Sequence, residues 1–493
     1  MIKSIYETTT NSLIYKDSIG EKFTSNTGVK QGDTLSTILF NLYINDIPHT
    51  LTSEGNDPIL LDNTISLSCL KYADDLVIMS TSKNGLQNCL NKLETYCDKW
   101  KLEINTKKTK IMLFNKQGSL IKKHKFTFNQ KNIENVREYK YLGFIFSCSN
   151  SSNPGIFNLV NQAKKAWFSI QYYMSKSKHR NIDIYLKLFD SLVKPILLYS
   201  CEAWADSVKT DDNITNLLQR NKLEKFQITI CKQLLAVSRK TTNVSVLLEL
   251  GRYPITIYMK YQTIKYFLRL TQLNKDRILY KYYKREIENH NNDGNNYISY
   301  IKNTLNNLGM SNIWMQQFEN QNQNEIKDKI NTKNILTRLT DIFSQTSIDT
   351  IQNTNNSKLH FLNYFKKEFK TENYLKIKNF ENRRALTKLR TSSHNLAIET
   401  GRWSKIERKN RLCEQCTENI IEDEIHFLFD CKKYSSNRNI TFKYIKYQTG
   451  LDLHNKWNRI DDLKSLFEID NIKVLNTLGN FIKTSFEKRE PNK

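Results

Sequence analysis

No stretch of this 493-residue chain approaches the roughly 18 consecutive apolar residues that a membrane-spanning helix requires. The N-terminus has no charged start, apolar core and small-residue cleavage site, so secretion is not expected. Acidic residues are short relative to basic ones, 50 against 75, leaving a net charge of +25. Such an excess points to a polyanionic partner, most simply nucleic acid. Nine cysteines is an odd number, and Cys69, Cys89, Cys97, Cys148, Cys201 and Cys231 are scattered through apolar surroundings. Free buried thiols of this kind fit a reducing compartment, the nucleus or the cytoplasm. Apolar residues make up 39% of the chain, enough to bury real cores, and the length suggests roughly three domains.

Residues 67–80 place two apolar, β-prone runs around Tyr72-Ala73-Asp74-Asp75. That pattern predicts a tight hairpin with both acids at its tip. Adjacent carboxylates can hold hard divalent cations through oxygen. Two such cations about 3.5–4 Å apart form the clamp that polymerases use on an attacking and a leaving oxygen.

Other segments accompany the hairpin. Upstream stands Gly28-Val29-Lys30-Gln31-Gly32; downstream come Trp100 to Asn105, Lys107-Lys108-Thr109-Lys110, and Tyr139 to Gly143. In this order and spacing they closely resemble the reverse transcriptases of non-LTR (LINE-type) retrotransposons. The resemblance continues weakly to about residue 260 and returns at 384–438. It implies an α+β fold: a partial palm, an antiparallel sheet with packed helices, then a mostly helical thumb and a small zinc module. It assigns Asp74 and Asp75 to catalysis through two Mg2+ ions. Gly28, Gln31, Gly32 and Tyr72 would contact template and incoming nucleotide. Lys108 would face the triphosphate or leaving pyrophosphate, and Tyr141, Leu142 and Gly143 would form the primer grip. The implied partners are an RNA template, a DNA primer or target, and deoxynucleotide triphosphates; no membrane is implied, and the oligomeric state is left open. Thr37 stands where the family usually has proline, a minor departure.

A larger departure lies at the front. The family carries an Ala-Phe-Asp-like strand several tens of residues before the position of Gly28, and its Asp bridges the metals. Before residue 50 the only aspartates here are Asp17, Asp33 and Asp46, none in an apolar strand. The expectation is an N-terminally truncated reverse transcriptase with little or no polymerase activity in this chain. The alternative is a catalytically dead remnant that still binds nucleic acid through its basic surface and zinc module.

Along the chain, Leu35, Ile38, Leu39, Leu42, Tyr43 and Ile47 have helical spacing and predict one buried face. Ser82 can cap a helix running to about Trp100, with Leu86, Cys89, Leu90, Leu93, Tyr96, Cys97 and Trp100 as its stripe. A strand pair is expected near 110–115 and 141–146. Helical stripes follow: Ala163, Ala166, Trp167, Ile170 and Met174, then Tyr185, Leu188, Phe189, Leu192 and Val193, with Pro195 ending or kinking the second. Residues 281–360 hold 17 Asn, and 289–296 is the best linker candidate, although Ile301, Leu305, Leu308, Ile313, Trp314 and Phe318 argue for surviving helix. The expected divisions are 1–150 palm, 151–285 thumb and connection, 286–360 Asn-rich region, 361–450 zinc-bearing region and 451–493 C-terminal helix and tail. That last helix should bury Val474, Leu475, Leu478, Phe481, Ile482 and Phe486.

Cys413-x2-Cys416, nine residues, then His426-x4-Cys431 has the spacing of a structural zinc site. His426 and Cys431 are five apart and do not share an α-helical face, so Cys431 must sit where a helix ends or bends. This zinc-knuckle-like set also resembles the segment that follows the reverse transcriptase domain in the family. His394 offers a further polar contact but no zinc ligand.

Overall fold

The computed structural model describes residues 10–25, 28–30, 32–52, 55–61, 65–177, 181–208, 213–289, 296–315, 332–353, 358–453 and 458–489. The chain forms two compact units, one of residues 1–139 with 147–150, the other of 140–146 with 151–493.

The first unit is organised by the Lys83–Trp100 helix. Ser82 starts it by accepting from the Gly85 N–H, a cap worth about 1 kcal/mol. The expected stripe is its buried face: Cys89, Leu90, Leu93, Tyr96 and Cys97 meet Ile47, Leu51, Ile111, Phe126, Phe128 and Ile133 in one core. Upstream the expected single helix is two, Thr34–Tyr43 and Ile47–Leu51, with Asp33 capping the first at the Leu35 N–H. Its predicted buried face holds only in part: Ile47 is buried as expected, whereas Ile38, Leu42 and Tyr43 are exposed, and Ile44 and Leu51, outside the predicted stripe, enter the core. Helical spacing identifies a face but does not supply a second surface to cover it.

Strand pairing also differs from expectation. Lys110–Ile111 runs parallel to Glu134–Asn135 at the edge of a three-stranded sheet that includes Phe126–Phe128, while Phe144–Ser147 pairs with Glu138–Tyr141. Among the described residues the sheets have two or three strands each. Alternating apolar residues mark a strand and leave its partner undetermined.

The second unit is mostly helical. The Asn153–Lys176 helix buries Ala163, Trp167, Ile170 and Met174 as expected. Around Pro195 the next run is irregular and ends soon after it, at Leu197. The Ile182–Leu188 helix passes through a π-helical turn, Phe189–Val193, into Lys194–Leu197. Pro195 lies in the first turn of that last piece, where its missing N–H costs least. The wider turn shifts the helical phase, so Phe189 and Val193 stay buried while Leu192 turns outward at 52% exposure.

Residues from 151–285, 286–360, 361–450 and 451–493 share one hydrophobic core. Ile301, Leu305, Leu308, Ile313 and Trp314 are buried in it; Phe318 and residues 290–295 lie outside the described residues. Arg390 ties several segments together. It is 2% exposed, pairs with Glu249 at 2.9 Å and Glu372 at 2.9 Å, and lies 4.5–5.1 Å from the rings of Phe365, Tyr374 and Phe467. A buried guanidinium is tolerated only with such partners. The final helix, Ile472–Lys488, packs against Phe380–Arg390, and Gly479 is the close approach: a Cβ there would meet the Asn382 carbonyl oxygen at 2.6 Å.

Candidate functional site

The predicted hairpin is present. Cys69–Tyr72 and Asp75–Ile78 pair antiparallel with Tyr72 opposite Asp75, leaving Ala73-Asp74 as a two-residue turn. Ala73 takes φ 52°, a left-handed conformation that usually falls to glycine in such turns. Alternation puts Leu70, Tyr72, Asp75 and Val77 on one face and Cys69, Lys71, Leu76 and Ile78 on the other. The second face is the anchored one. Cys69 is buried, and the Lys71 ammonium donates to the carbonyls of Asn41 (3.3 Å) and Ile44 (3.2 Å) at the end of the Thr34–Tyr43 helix. A cation is favoured at that helix end, so Lys71 fixes the hairpin and the helix to each other. Asp74 and Asp75 are both exposed, and Tyr72 is 65% exposed beside them. Side-chain oxygens so placed are free to ligate a hard cation.

Gly28 and Gly32 have φ 83° and 87°, with open space where a Cβ would stand. Only glycine adopts these angles without strain, and the bare backbone leaves room for close approach. Gln31 lies outside the described residues. Lys108 is exposed on a turn that Asn105 organises, its N–H donating to Asn105 Oδ1 at 3.1 Å. The Tyr139 hydroxyl holds the same turn through the Lys108 carbonyl at 3.2 Å.

Tyr141, Leu142 and Gly143 belong to the second unit. Leu142 and Gly143 take φ 44° and 85° in the turn after Tyr141, and the Tyr199 hydroxyl donates to the Leu142 carbonyl. Leu142 is 39% exposed.

Two aspartates before residue 50 are already engaged. Asp33 is the helix cap described above, and Asp46 accepts from the Tyr96 hydroxyl. Among the described residues no third ligand-bearing side chain joins Asp74 and Asp75 within metal-binding range.

The four residues of the second motif do converge. Ligand atoms of Cys413, Cys416, His426 and Cys431 all lie within 4.8 Å of one another. The Cys413 and Cys431 sulfurs are 4.0 Å apart, and Cys416 Sγ is 3.5 Å from His426 Nε2. Tetrahedral zinc, with Zn–S near 2.3 Å and Zn–N near 2.0–2.1 Å, would set these separations at about 3.8 and 3.5 Å. The Cys3His cluster is compatible with zinc on this geometry.

Local structure explains the convergence. A short antiparallel return, with the Cys413 N–H donating to Ile420 (2.8 Å) and the Glu422 N–H to Arg411 (2.9 Å), presents Cys413 and Cys416. The five-residue gap is closed by a π-helical turn over His426–Asp430, the Cys431 N–H donating to the His426 carbonyl at 2.8 Å. Arg438 holds the turn's end through the carbonyls of Leu428 and Cys431, each at 2.7 Å. Burial keeps the His426 imidazole below its ordinary pKa, favouring the neutral, ligating form, and pushes the Cys413 and Cys431 thiols up. His426 Nδ1 is buried with no hydrogen-bond partner, so packing and the π turn orient the ring. His394 is the polar contact expected: Nδ1 accepts from the Leu396 N–H, leaving Nε2 to donate to Glu424 at 3.0 Å.

Sequence reasoning missed Lys71, Arg438 and Glu422. Glu422 accepts from the Ala397 N–H at 2.6 Å and from Arg489 at 2.7 Å, joining the cysteine return to two helices. None of the three carries a motif signal, since each acts on backbone or on a charge distant in sequence.

No helix among the described residues is long and apolar enough to cross a membrane. Residues 1–146 match the family model described as reverse transcriptase (RNA-dependent DNA polymerase). The chain is 24% identical over 207 residues to the RNA-directed DNA polymerase from mobile element jockey of Drosophila melanogaster, covering 40% of this chain and 22% of that protein. It is 32% identical over 149 residues to a transposon-derived protein of Caenorhabditis elegans, covering 29% of this chain and 50% of that one. It is 30% identical over 155 residues to the Pol polyprotein of the type-2 retrotransposable element R2DM of Drosophila melanogaster, covering 30% and 14%. The chain thus spans about a fifth of the length of the jockey polymerases it matches. Motif order, hairpin geometry and these matches agree that the chain carries a reverse transcriptase segment of the non-LTR retrotransposon kind.

Proposed function

We propose that the chain derives from an RNA-directed DNA polymerase that copies an RNA template onto a DNA primer. The observation that carries this is the Tyr72–Asp75 hairpin, which presents two exposed carboxylates at a turn anchored by Lys71. Reverse transcriptases typically use Mg2+, which when bound stabilises charge on the attacking and leaving oxygens. In that reading Asp74 and Asp75 ligate the ions, and the Gly28 and Gly32 backbone allows template and nucleotide to approach. Lys108 supplies positive charge toward the phosphates, and the turn of Tyr141, Leu142 and Gly143 contacts the primer.

The reading includes a limit on this chain alone. Asp33 and Asp46 are engaged elsewhere, and among the described residues no third carboxylate joins Asp74 and Asp75, one fewer than the resemblance implies for the site. The 493-residue chain is therefore expected to bind nucleic acid without extending a primer. A primer-extension assay with Mg2+ or Mn2+ tests this, and templated product would overturn it. In any form of the protein that does extend a primer, Asp74→Ala and Asp75→Ala should each abolish that activity. Activity retained in both would refute the site.

The Cys413, Cys416, His426 and Cys431 cluster we assign to one structural Zn2+. Four protein ligands leave no open position for chemistry.

A further inference from the structure

Beside the cysteine cluster the second unit holds a cavity of about 320 Å³ that none of the motifs explains. This is the lower end of the range for small-ligand pockets. Its walls include His360, Tyr364, Glu399, Arg402, Arg408 and Asp423. The Tyr364 hydroxyl and His360 Nε2 are 2.9 Å apart, so that side is already paired. Glu399 is different. It is 1% exposed, and Arg402 reaches one of its oxygens at 3.0 Å. The other oxygen, Oε2, accepts no hydrogen bond; the Lys358 ammonium stops 3.8 Å away. A buried carboxylate oxygen without a donor is costly, and a ligand carrying an N–H or O–H would satisfy it.

Lys358 also connects the cavity to the surface. Its ammonium lies 5.7 Å from the centroid of Trp403, and that of Lys240 lies 5.7 Å from the same ring. Trp403 is 55% exposed, an unusual position for the largest aromatic side chain. Trp403, Arg402 and Glu399 share the Ala397–Trp403 helix. An open indole, crowded cations and a recessed acceptor therefore occupy one place. Crowding is also felt electrostatically: Lys358 is held below its ordinary pKa first by burial, then by Arg402 and Lys240.

We propose that this place binds one unpaired nucleotide of a single-stranded nucleic acid. Its base stacks on Trp403 or enters the cavity edge, an amino or hydroxyl donor meets Glu399 Oε2, and the flanking phosphates pair with Lys240, Lys358 and Arg408. Aromatic stacking beside cations is sequence-tolerant and selects single strands, because bases in a duplex have no free face. The proposal rests on the reading that the chain's partner is nucleic acid, but it uses none of the carboxylate-hairpin residues.

The test is fluorescence anisotropy of the full chain with labelled ten-nucleotide RNA, the same sequence as DNA, and a blunt DNA duplex. Trp403→Ala should weaken single-strand binding about tenfold or more, leave duplex binding unchanged, and keep the log–log salt slope, since no charge is lost. Trp403→Phe should recover most of the affinity, which guards against a folding defect. Lys240→Met with Lys358→Met should instead lower the slope by about 0.7 per contact. Glu399→Gln should shift affinity for the single strands only, and the RNA and DNA arms reveal whether the ribose hydroxyl is a donor. Equal single-strand affinity in Trp403→Ala and wild type, or no single-strand binding by wild type, overturns the proposal. The polymerase reading is judged separately, by primer extension.

Discussion

Stripping the metal from the cysteine cluster should loosen one small region while the rest of the second unit stays folded. The reason is local. Cys413 and Cys416 sit on a short return held by two backbone hydrogen bonds, with Leu412 and Ile420 exposed on it, whereas Phe427, Leu428 and Phe429 are all buried in the main core. At free zinc one hundred times its dissociation constant, the ion adds about 2.7 kcal/mol to the closed form. Amides that open with the return should then exchange about 100-fold more slowly with zinc than after chelation. The reporters are the N–H groups of Cys413 and Glu422, bonded at 2.8 and 2.9 Å to Ile420 and Arg411, while the Cys431 N–H, bonded to His426 within the π turn, should stay protected. Hydrogen-exchange mass spectrometry over residues 408–434, with and without chelator, reads this directly. Cys416→Ser should abolish the response. Cys231→Ser, in the Lys222–Leu235 helix and 1% exposed, should leave metal content unchanged. Exchange indifferent to chelator, or no zinc by elemental analysis in protein purified without chelator, would refute the assignment.

Gly479→Ala should destabilise the second unit by about 1–3 kcal/mol, because the new Cβ would stand 2.6 Å from the Asn382 carbonyl and the helices must part. The gain in helix propensity, about 1 kcal/mol, does not offset this, and an unchanged melting temperature would contradict the packing. Glu224 is wholly buried, its Oε1 accepting from the Thr256 N–H at 2.8 Å, and burial pushes its carboxyl up to about 7. Because the folded value lies above the unfolded one, the folded state holds the proton longer and stability falls as pH rises between about 4.5 and 7. The loss is on the order of 3 kcal/mol and is complete above that window. Glu224→Gln should remove this part of the pH dependence, so parallel denaturation curves for variant and wild type at about pH 5 and about pH 8 would count against it. Lys71→Met should release the hairpin from the Asn41 and Ile44 carbonyls, costing about 1.5–3 kcal/mol for charged hydrogen bonds, measured by denaturant unfolding of the first unit. No measurable loss would mean that the hairpin is held by Cys69 and its neighbours alone.

Local chemistry was readable from the sequence wherever neighbours in the chain are neighbours in space. The Tyr72–Asp75 turn, the Ser82 cap and the buried stripe of Lys83–Trp100 follow from two-residue and 3.6-residue periods. The zinc-type spacing of Cys413, Cys416, His426 and Cys431 named all four members of a cluster that does converge. Tertiary structure alone decided how the convergence is made: a π turn at His426–Asp430, held by Arg438, carries Cys431 across a gap that an α-helix would not close. It likewise placed a π turn ahead of Pro195, turned Leu192 outward, and left Ile38, Leu42 and Tyr43 exposed. The physical reason is the same in each case. A sequence states which face is apolar and which residues can ligate, because those are properties of side chains in order. Which surface covers a face, which strand pairs with which, and which distant arginine or glutamate answers a buried charge depend on segments far apart in the chain, as with Arg390 and Glu249 or Glu422 and Arg489. Those pairings exist only once the core has brought the segments together.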